Sequence, residues 1–126
     1  MNLRIEKTEK IVGVVTPPSS KSHTIRALFI ASMAKGVSTI TNALVSDDTV
    51  HARAVCEALG SRITELPQGD QSGINLEVEG RGIPLALRSD KFFTGDSGIT
   101  IRFLLPMLGL ASAPAQTAVV ECGEQM

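Results

Sequence analysis

Apolar and polar residues alternate along this chain with two periods, which predict a succession of strands and helices. Alternation with period two is typical of a strand with one buried face, and it recurs in short segments from one end of the sequence to the other. Strands are therefore predicted over residues 3–6, 11–15, 37–41, 61–66, 74–79 and 116–121.

Apolar residues spaced three and four positions apart predict three helices between these strands. The helices are expected over residues 21–35, 47–59 and 98–110. Ser20 and Ser46 are suited to cap the first two helices, and Gly36 and Gly60 are suited to end them. The side chains expected to be buried are Ile25, Leu28, Phe29 and Ser32 in the first helix and Val50, Ala54, Val55, Ala58 and Leu59 in the second.

This order of elements predicts an α/β domain in which helices pack on a mixed sheet. With 126 residues, the chain has the size of one domain and can bury a core. Apolar residues make up 43% of it and charged residues 20%, a balance that excludes a disordered or membrane-spanning chain.

The composition also restricts the possible partners. The chain has four Phe and no Trp or Tyr, so it lacks the stacking platforms of proteins that bind single-stranded nucleic acid. Its net charge is −1, so any site for an anion must be local. No His lies at zinc-ligand spacing from Cys56 or Cys122, and no metal site is expected. The charged N-terminus is unlike a signal peptide, and Cys56 is expected in the core of a cytoplasmic protein.

The first candidate site is the start of the first predicted helix, where Lys21, Ser22 and Arg26 follow a stretch of prolines and serines. Cations are disfavoured at a helix N-terminus because the helix dipole is positive there. Free backbone N–H groups, the hydroxyl of Ser22 and the two cations could instead converge on a phosphate or carboxylate. The competing interpretation is an ordinary helix cap beside two solvated cations.

A second candidate is residues 95–98, a glycine-containing turn that opens the third helix, followed by Arg102. Two glycines allow backbone amides to approach a ligand closely. The competing interpretation is a normal cap with Arg102 in a surface ion pair. Asp48 is expected to favour the start of the second helix, which could point toward the same cleft, and His51 is expected to be a surface residue.

Three motifs together resemble those of a known family. Residues 17–28, the Ser-Asp-Asp of residues 46–48, and residues 95–102 resemble the N-terminal part of the EPSP synthase (3-phosphoshikimate 1-carboxyvinyltransferase) family, in the same order and with similar spacing. That family transfers the enolpyruvyl group of phosphoenolpyruvate to the 5-hydroxyl of shikimate 3-phosphate and releases phosphate, in the synthesis of chorismate and aromatic amino acids. It uses no metal or organic cofactor.

The resemblance implies roles for individual residues. Lys21, Ser22 and Arg26 would bind shikimate 3-phosphate, and Lys21, Gly98 and Arg102 would bind phosphoenolpyruvate. Lys21 would also act in catalysis. Neither nucleic acid nor membrane is implied as a partner.

The resemblance also implies how the chain is organised. Members of the family are several times longer and have two domains built from βαβαββ units, with the substrates between them. Residues 1–126 would be an N-terminal fragment, in which residues 1–16 form strands near the crossover between domains and residues 17–126 belong to a substrate-binding domain. The fragment's partner would be the remainder of the enzyme, it would be inactive alone, and the complete parent would be monomeric.

Two further interpretations of the motifs remain open. One is a stand-alone module that binds anions without catalysis, and the other is a relative of the enolpyruvyl transferase that acts on UDP-N-acetylglucosamine. The family usually has Asn, Thr and often Pro where this chain has Asp96, Ile99 and Phe103. A carboxylate beside an anion is unfavourable, so Asp96 is expected to cap the helix or to point away.

Overall fold

Three helices and five strands form the part of the chain that the computed structural model describes, which is residues 3–7, 9–67, 72–111 and 117–125. In chain order they are α1 (Lys21–Met33), β1 (Lys35–Ala43), α2 (Asp47–Ala58), β2 (Arg62–Leu66), β3 (Ile74–Arg81), β4 (Lys91–Phe93), α3 (Gly98–Leu108) and β5 (Val119–Glu121). Gln116, where the last strand was predicted to begin, lies outside the described residues.

The antiparallel and parallel strand pairs lie in two separate sheets. β1, β3 and β2 form an antiparallel sheet in that order, with β3 in the centre, and β4 pairs with β5 in parallel. The α/β class predicted from the sequence is confirmed. β4 was not predicted, because a strand of three residues is too short to show an alternating pattern.

α1 begins where the sequence predicts and ends earlier than predicted. Ser20 caps it, since its Oγ accepts a hydrogen bond from the backbone N–H of His23 at 3.4 Å. The prediction that Gly36 ends the helix was wrong. The backbone is already extended at Ala34, whose carbonyl accepts from Gly82 N at 3.1 Å, and β1 has begun at Lys35.

α2 has the predicted cap but a different buried face. The Oγ of Ser46 accepts from Thr49 N at 3.4 Å, and Thr49 Oγ1 accepts from Ser46 N at 2.8 Å, which completes a capping box. The predicted burial of Val50, Ala54 and Ala58 was wrong, since the first two are exposed and the third is half-buried. The helix is rotated so that the core receives Thr49, Ala52, Val55, Cys56 and Leu59.

The two strands predicted at residues 3–6 and 11–15 are absent. Residues 3–7 and 9–20 contain no strand. The apolar side chains of this stretch are 79–99% exposed, namely Leu3, Ile5, Ile11, Val12, Val14 and Val15. A strand requires the backbone of a neighbour to complete its hydrogen bonds, and none of the described strands lies beside this segment. Its position near a domain crossover remains a prediction.

The core lies among the three helices, β4 and the three-stranded sheet, and one close approach fixes α1 on that sheet. A Cβ atom on Gly80 of β3 would lie 2.2 Å from the carbonyl oxygen of Ala34 and 2.3 Å from that of Ala31. The end of α1 therefore touches β3 backbone to backbone. Ile25, Leu28 and Phe29 of α1 are at most 1% exposed.

Candidate anion-binding site

The residues predicted at the start of α1 lie along its first two turns. Lys21 and Arg26 are exposed and Ser22 is half-buried. Arg26 Nη1 donates a hydrogen bond to the backbone carbonyl of Ser22 at 3.1 Å, so the guanidinium group is folded back toward the start of the helix. This contact keeps the guanidinium group of Arg26 near Ser22, so that both residues could reach the same anion.

Lys21 is held by the second helix. Its Nζ lies 2.7 Å from Oδ2 of Asp48, and the two side chains are 49% and 23% exposed. The starts of α1 and α2 are therefore adjacent, as the alternative interpretation of the Ser-Asp-Asp motif expected. Asp48 is also well placed for the dipole of α2. The pair partly compensates the charge of Lys21.

The start of α3 is capped and largely buried. Ser97 caps it, with its Oγ accepting from Thr100 N at 3.4 Å and from Thr100 Oγ1 at 2.8 Å. Both side chains are at most 1% exposed. Gly95 has a φ of 58°, a conformation that L-residues rarely adopt. Gly98 is the first residue of α3 and is half-buried.

Arginines from the two separate motifs meet in one pocket. Arg26 and Arg102 line a cavity of about 220 Å³ together with Ile99 and Phe103. The rings of Phe29 and Phe103 stack with centroids 5.5 Å apart and 25° between their planes, which holds α1 against α3 at this point. Lys21 and Gly98 are not part of this lining.

Asp96 points away from that pocket. Its Oδ1 accepts a hydrogen bond from the backbone N–H of Gln125 at 3.0 Å, and Gly123 passes so close that a Cβ there would meet the same oxygen at 2.2 Å. The carboxylate thus holds the chain that follows β5, instead of facing Arg26 and Arg102. This agrees with the expectation that it does not oppose an anion.

His51 packs against the turn that precedes α3, contrary to the expectation that it is a plain surface residue. It is half-buried, and its ring meets the ring of Phe93 edge-on with centroids 5.1 Å apart. A Cβ on Gly95 would lie 2.3 Å from His51 Nδ1. No local sequence signal indicates this contact, because it joins a helix to a turn far along the chain.

The chemistry available here is recognition of charge. Two guanidinium groups and an apolar wall suit a small organic anion. Cys56 cannot serve as a nucleophile, because it is fully buried and burial raises its pKa to about 12. The described residues contain no group of three or more His, Cys, Asp and Glu side chains arranged to hold a metal ion. None of their helices is long and apolar enough to cross a membrane.

Comparisons with known proteins agree on one family. A family model described as EPSP synthase (3-phosphoshikimate 1-carboxyvinyltransferase) matches residues 5–126. The chain is 38% identical over 111 residues to a 3-phosphoshikimate 1-carboxyvinyltransferase of Methanothermobacter thermautotrophicus, covering 88% of this chain and 25% of the relative. It is 44% identical over 103 residues to the enzyme of the same name from Acetivibrio thermocellus, covering 82% of this chain and 23% of the relative.

A solved structure gives the same result. An EPSP synthase from Acinetobacter baumannii superposes with a TM-score of 0.68 at 26% sequence identity, covering 90% of this chain and 24% of the other. The chain therefore spans about a quarter of the length of the curated relatives that it matches.

Proposed function

Because the chain belongs to the EPSP synthase family, we propose that it supplies part of the active site of a transferase of the shikimate pathway. The complete enzyme would transfer the enolpyruvyl group of phosphoenolpyruvate to the 5-hydroxyl of shikimate 3-phosphate. The observation that carries the proposal is the shared pocket of Arg26 and Arg102, since these residues come from separate motifs and bring two guanidinium groups to one lining. Like charges placed together are unfavourable unless an anion lies between them.

The proposed roles follow from charge and position. Lys21, Ser22 and Arg26 bind shikimate 3-phosphate, with the hydroxyl and the helix amides donating hydrogen bonds to oxygen atoms of the ligand. Lys21, Gly98 and Arg102 bind phosphoenolpyruvate, where Gly98 offers its backbone at the start of α3. Lys21 contacts both substrates and acts in catalysis by stabilising negative charge at the reacting groups.

The reaction needs more groups than these residues supply. The substrate hydroxyl adds to the enol carbon while a proton goes to the methylene carbon, and expulsion of phosphate with loss of a proton then restores the double bond. These steps require a proton donor and a proton acceptor beside the substrates. The candidate site offers cations and backbone amides, so we expect the 126 residues alone to be inactive and their partner to be the rest of the enzyme. The complete enzyme is proposed to be a cytoplasmic monomer.

Calorimetric titration of the chain separates this proposal from its two competitors. Shikimate 3-phosphate, UDP-N-acetylglucosamine and inorganic phosphate are compared at the same concentrations, with the double variant Arg26→Ala/Arg102→Ala as the control. Heat with shikimate 3-phosphate alone supports the proposal. Equal weak heats with all three phosphates would favour an anion-binding module, and preference for the nucleotide sugar would favour the other transferase. Phosphate release by the chain with both substrates present would refute the expected inactivity.

A further inference from the structure

The turn at residues 95–98 is packed from one side by α2. A Cβ on Gly95 would lie 2.3, 2.8 and 3.1 Å from Nδ1, Cε1 and Cγ of His51, so the imidazole ring lies directly against the backbone of Gly95. The same ring meets Phe93 edge-on. His51 therefore contacts both the end of β4 and the turn that leads from it into α3.

The turn is also held by the chain after β5. Gly123 N donates to the carbonyl of Gly95 at 2.9 Å, and Gln125 N donates to Asp96 Oδ1 at 3.0 Å. The turn is thus held by two hydrogen bonds from the chain after β5 and is contacted by the ring of His51 from α2.

We propose that His51 is a positioning residue for the 95–98 turn, and through it for the three-carbon substrate, phosphoenolpyruvate. This inference rests on the proposed function, in which Gly98 at the end of the turn binds that substrate. Without the ring, a void would open beside Gly95, and the backbone of the turn is expected to shift toward it while Ser97 still caps α3. The start of α1 is held by other contacts, the Ser20 cap and the ion pair of Lys21, so binding of shikimate 3-phosphate is independent of the ring.

Steady-state kinetics of a family-length enzyme that carries this segment tests the inference. His51→Ala is expected to raise KM for phosphoenolpyruvate about tenfold, since a small displacement of a binding group has effects of this size, and to leave KM for shikimate 3-phosphate unchanged. His51→Phe keeps a ring at this place and should recover most of the loss. Val50→Ala, which shortens an exposed neighbour on α2, should change neither constant.

An equal rise of both KM values, or no rise for phosphoenolpyruvate, would overturn the positioning role. If the family-length enzyme shows no enolpyruvyl transfer, the proposed function is refuted. The contact between His51 and Gly95 can then still be tested by the stability of the 126-residue chain. There Gly95→Ala should destabilise the fold less in a His51→Ala background than in the wild type, because the collision with the ring is gone. Additive effects of the two substitutions would overturn the contact on which the inference rests.

Discussion

Lys21 Nζ and Asp48 Oδ2 lie 2.7 Å apart and join the first residue of α1 to the second residue of α2. The pair is half-exposed, so its contribution to stability is small. Its importance lies in geometry, since it limits the directions in which the ammonium group can point. A lysine held in this way meets a ligand with less loss of side-chain freedom.

Asp48→Asn should therefore weaken catalysis more than it weakens the fold. In a family-length enzyme we expect kcat/KM to fall roughly tenfold, equivalent to about 1.4 kcal/mol, because the amide no longer orients Lys21 by charge. Asp47→Asn removes the neighbouring exposed carboxylate from the same helix turn and is the matched control. Equal losses in the two variants, measured by steady-state kinetics, would mean that the dipole of α2 matters and the ion pair does not.

Lys21→Ala should lower kcat/KM by about a hundredfold to a thousandfold, since a cation facing developing negative charge is lost. Lys35→Ala removes an exposed lysine at the start of β1 and should leave turnover unchanged. Initial rates of phosphate release by a family-length enzyme, measured over a range of substrate concentrations, give kcat/KM for both variants. Near-normal turnover of the Lys21 variant would exclude it from catalysis.

The shared pocket predicts that Arg26, proposed to bind shikimate 3-phosphate, and Arg102, proposed to bind phosphoenolpyruvate, are energetically coupled. In calorimetric titrations with shikimate 3-phosphate, the loss of affinity in Arg26→Ala/Arg102→Ala should differ from the sum of the single losses by about 1 kcal/mol or more. Independent sites would give additive losses. Raising the salt concentration should weaken binding to the wild type more than binding to the double variant, which keeps only Lys21 as a cation of the candidate site.

The buried thiol of Cys56 predicts how stability depends on pH. Burial raises its pKa from 9.0 to about 12, so the unfolded chain releases this proton first as the pH rises. The resulting stability is fully present below pH 9 and is lost between pH 9 and about 12, at up to about 1.4 kcal/mol per pH unit. Urea unfolding across this range should show a steeper loss for the wild type than for Cys56→Ala, whereas parallel curves would mean that the thiol ionises in the folded state.

The contacts of Asn42 indicate that its side chain stabilises the segment that leads into α1. It has a φ of 55°, and its Oδ1 accepts from Ser19 Oγ at 2.8 Å and from Gly73 N at 3.0 Å. Asn42→Ala should lower the free energy of unfolding by about 1–3 kcal/mol, because it loses the acceptor and disfavours this backbone conformation. Asn42→Asp keeps an oxygen at the same place and should cost less. Urea unfolding of both variants checks the difference, which would vanish if the acceptor were unimportant.

The helix caps of this chain could be predicted from the sequence. Ser20 and Ser46 cap helices through hydrogen bonds to backbone groups three residues away, and such short-range contacts leave a clear pattern. The buried face of α2 was harder to predict from the sequence, since Val50 is apolar and yet 54% exposed. Which face a helix buries depends on the elements that cover it, and the spacing of apolar residues alone does not specify them.

Contacts between residues far apart in the sequence could not be predicted from local patterns. Residues 11–15 have the alternation of a strand, but a strand also needs a neighbour, and this segment has none among the described strands. The contact of His51 with Gly95 joins positions whose separation in sequence carries no periodic signal. The convergence of Arg26 and Arg102 was expected only through the resemblance to a family, and the pocket lining agrees with it.

The bare backbone of Gly80 makes the geometry of the candidate site depend on a residue far from any ligand. Even a single methyl group there would push the end of α1 off the sheet, and a stiff helix would carry that displacement to the lysine at its opposite end. Substitutions of Gly80 would therefore lower turnover, as substitutions of residues that contact the substrates do.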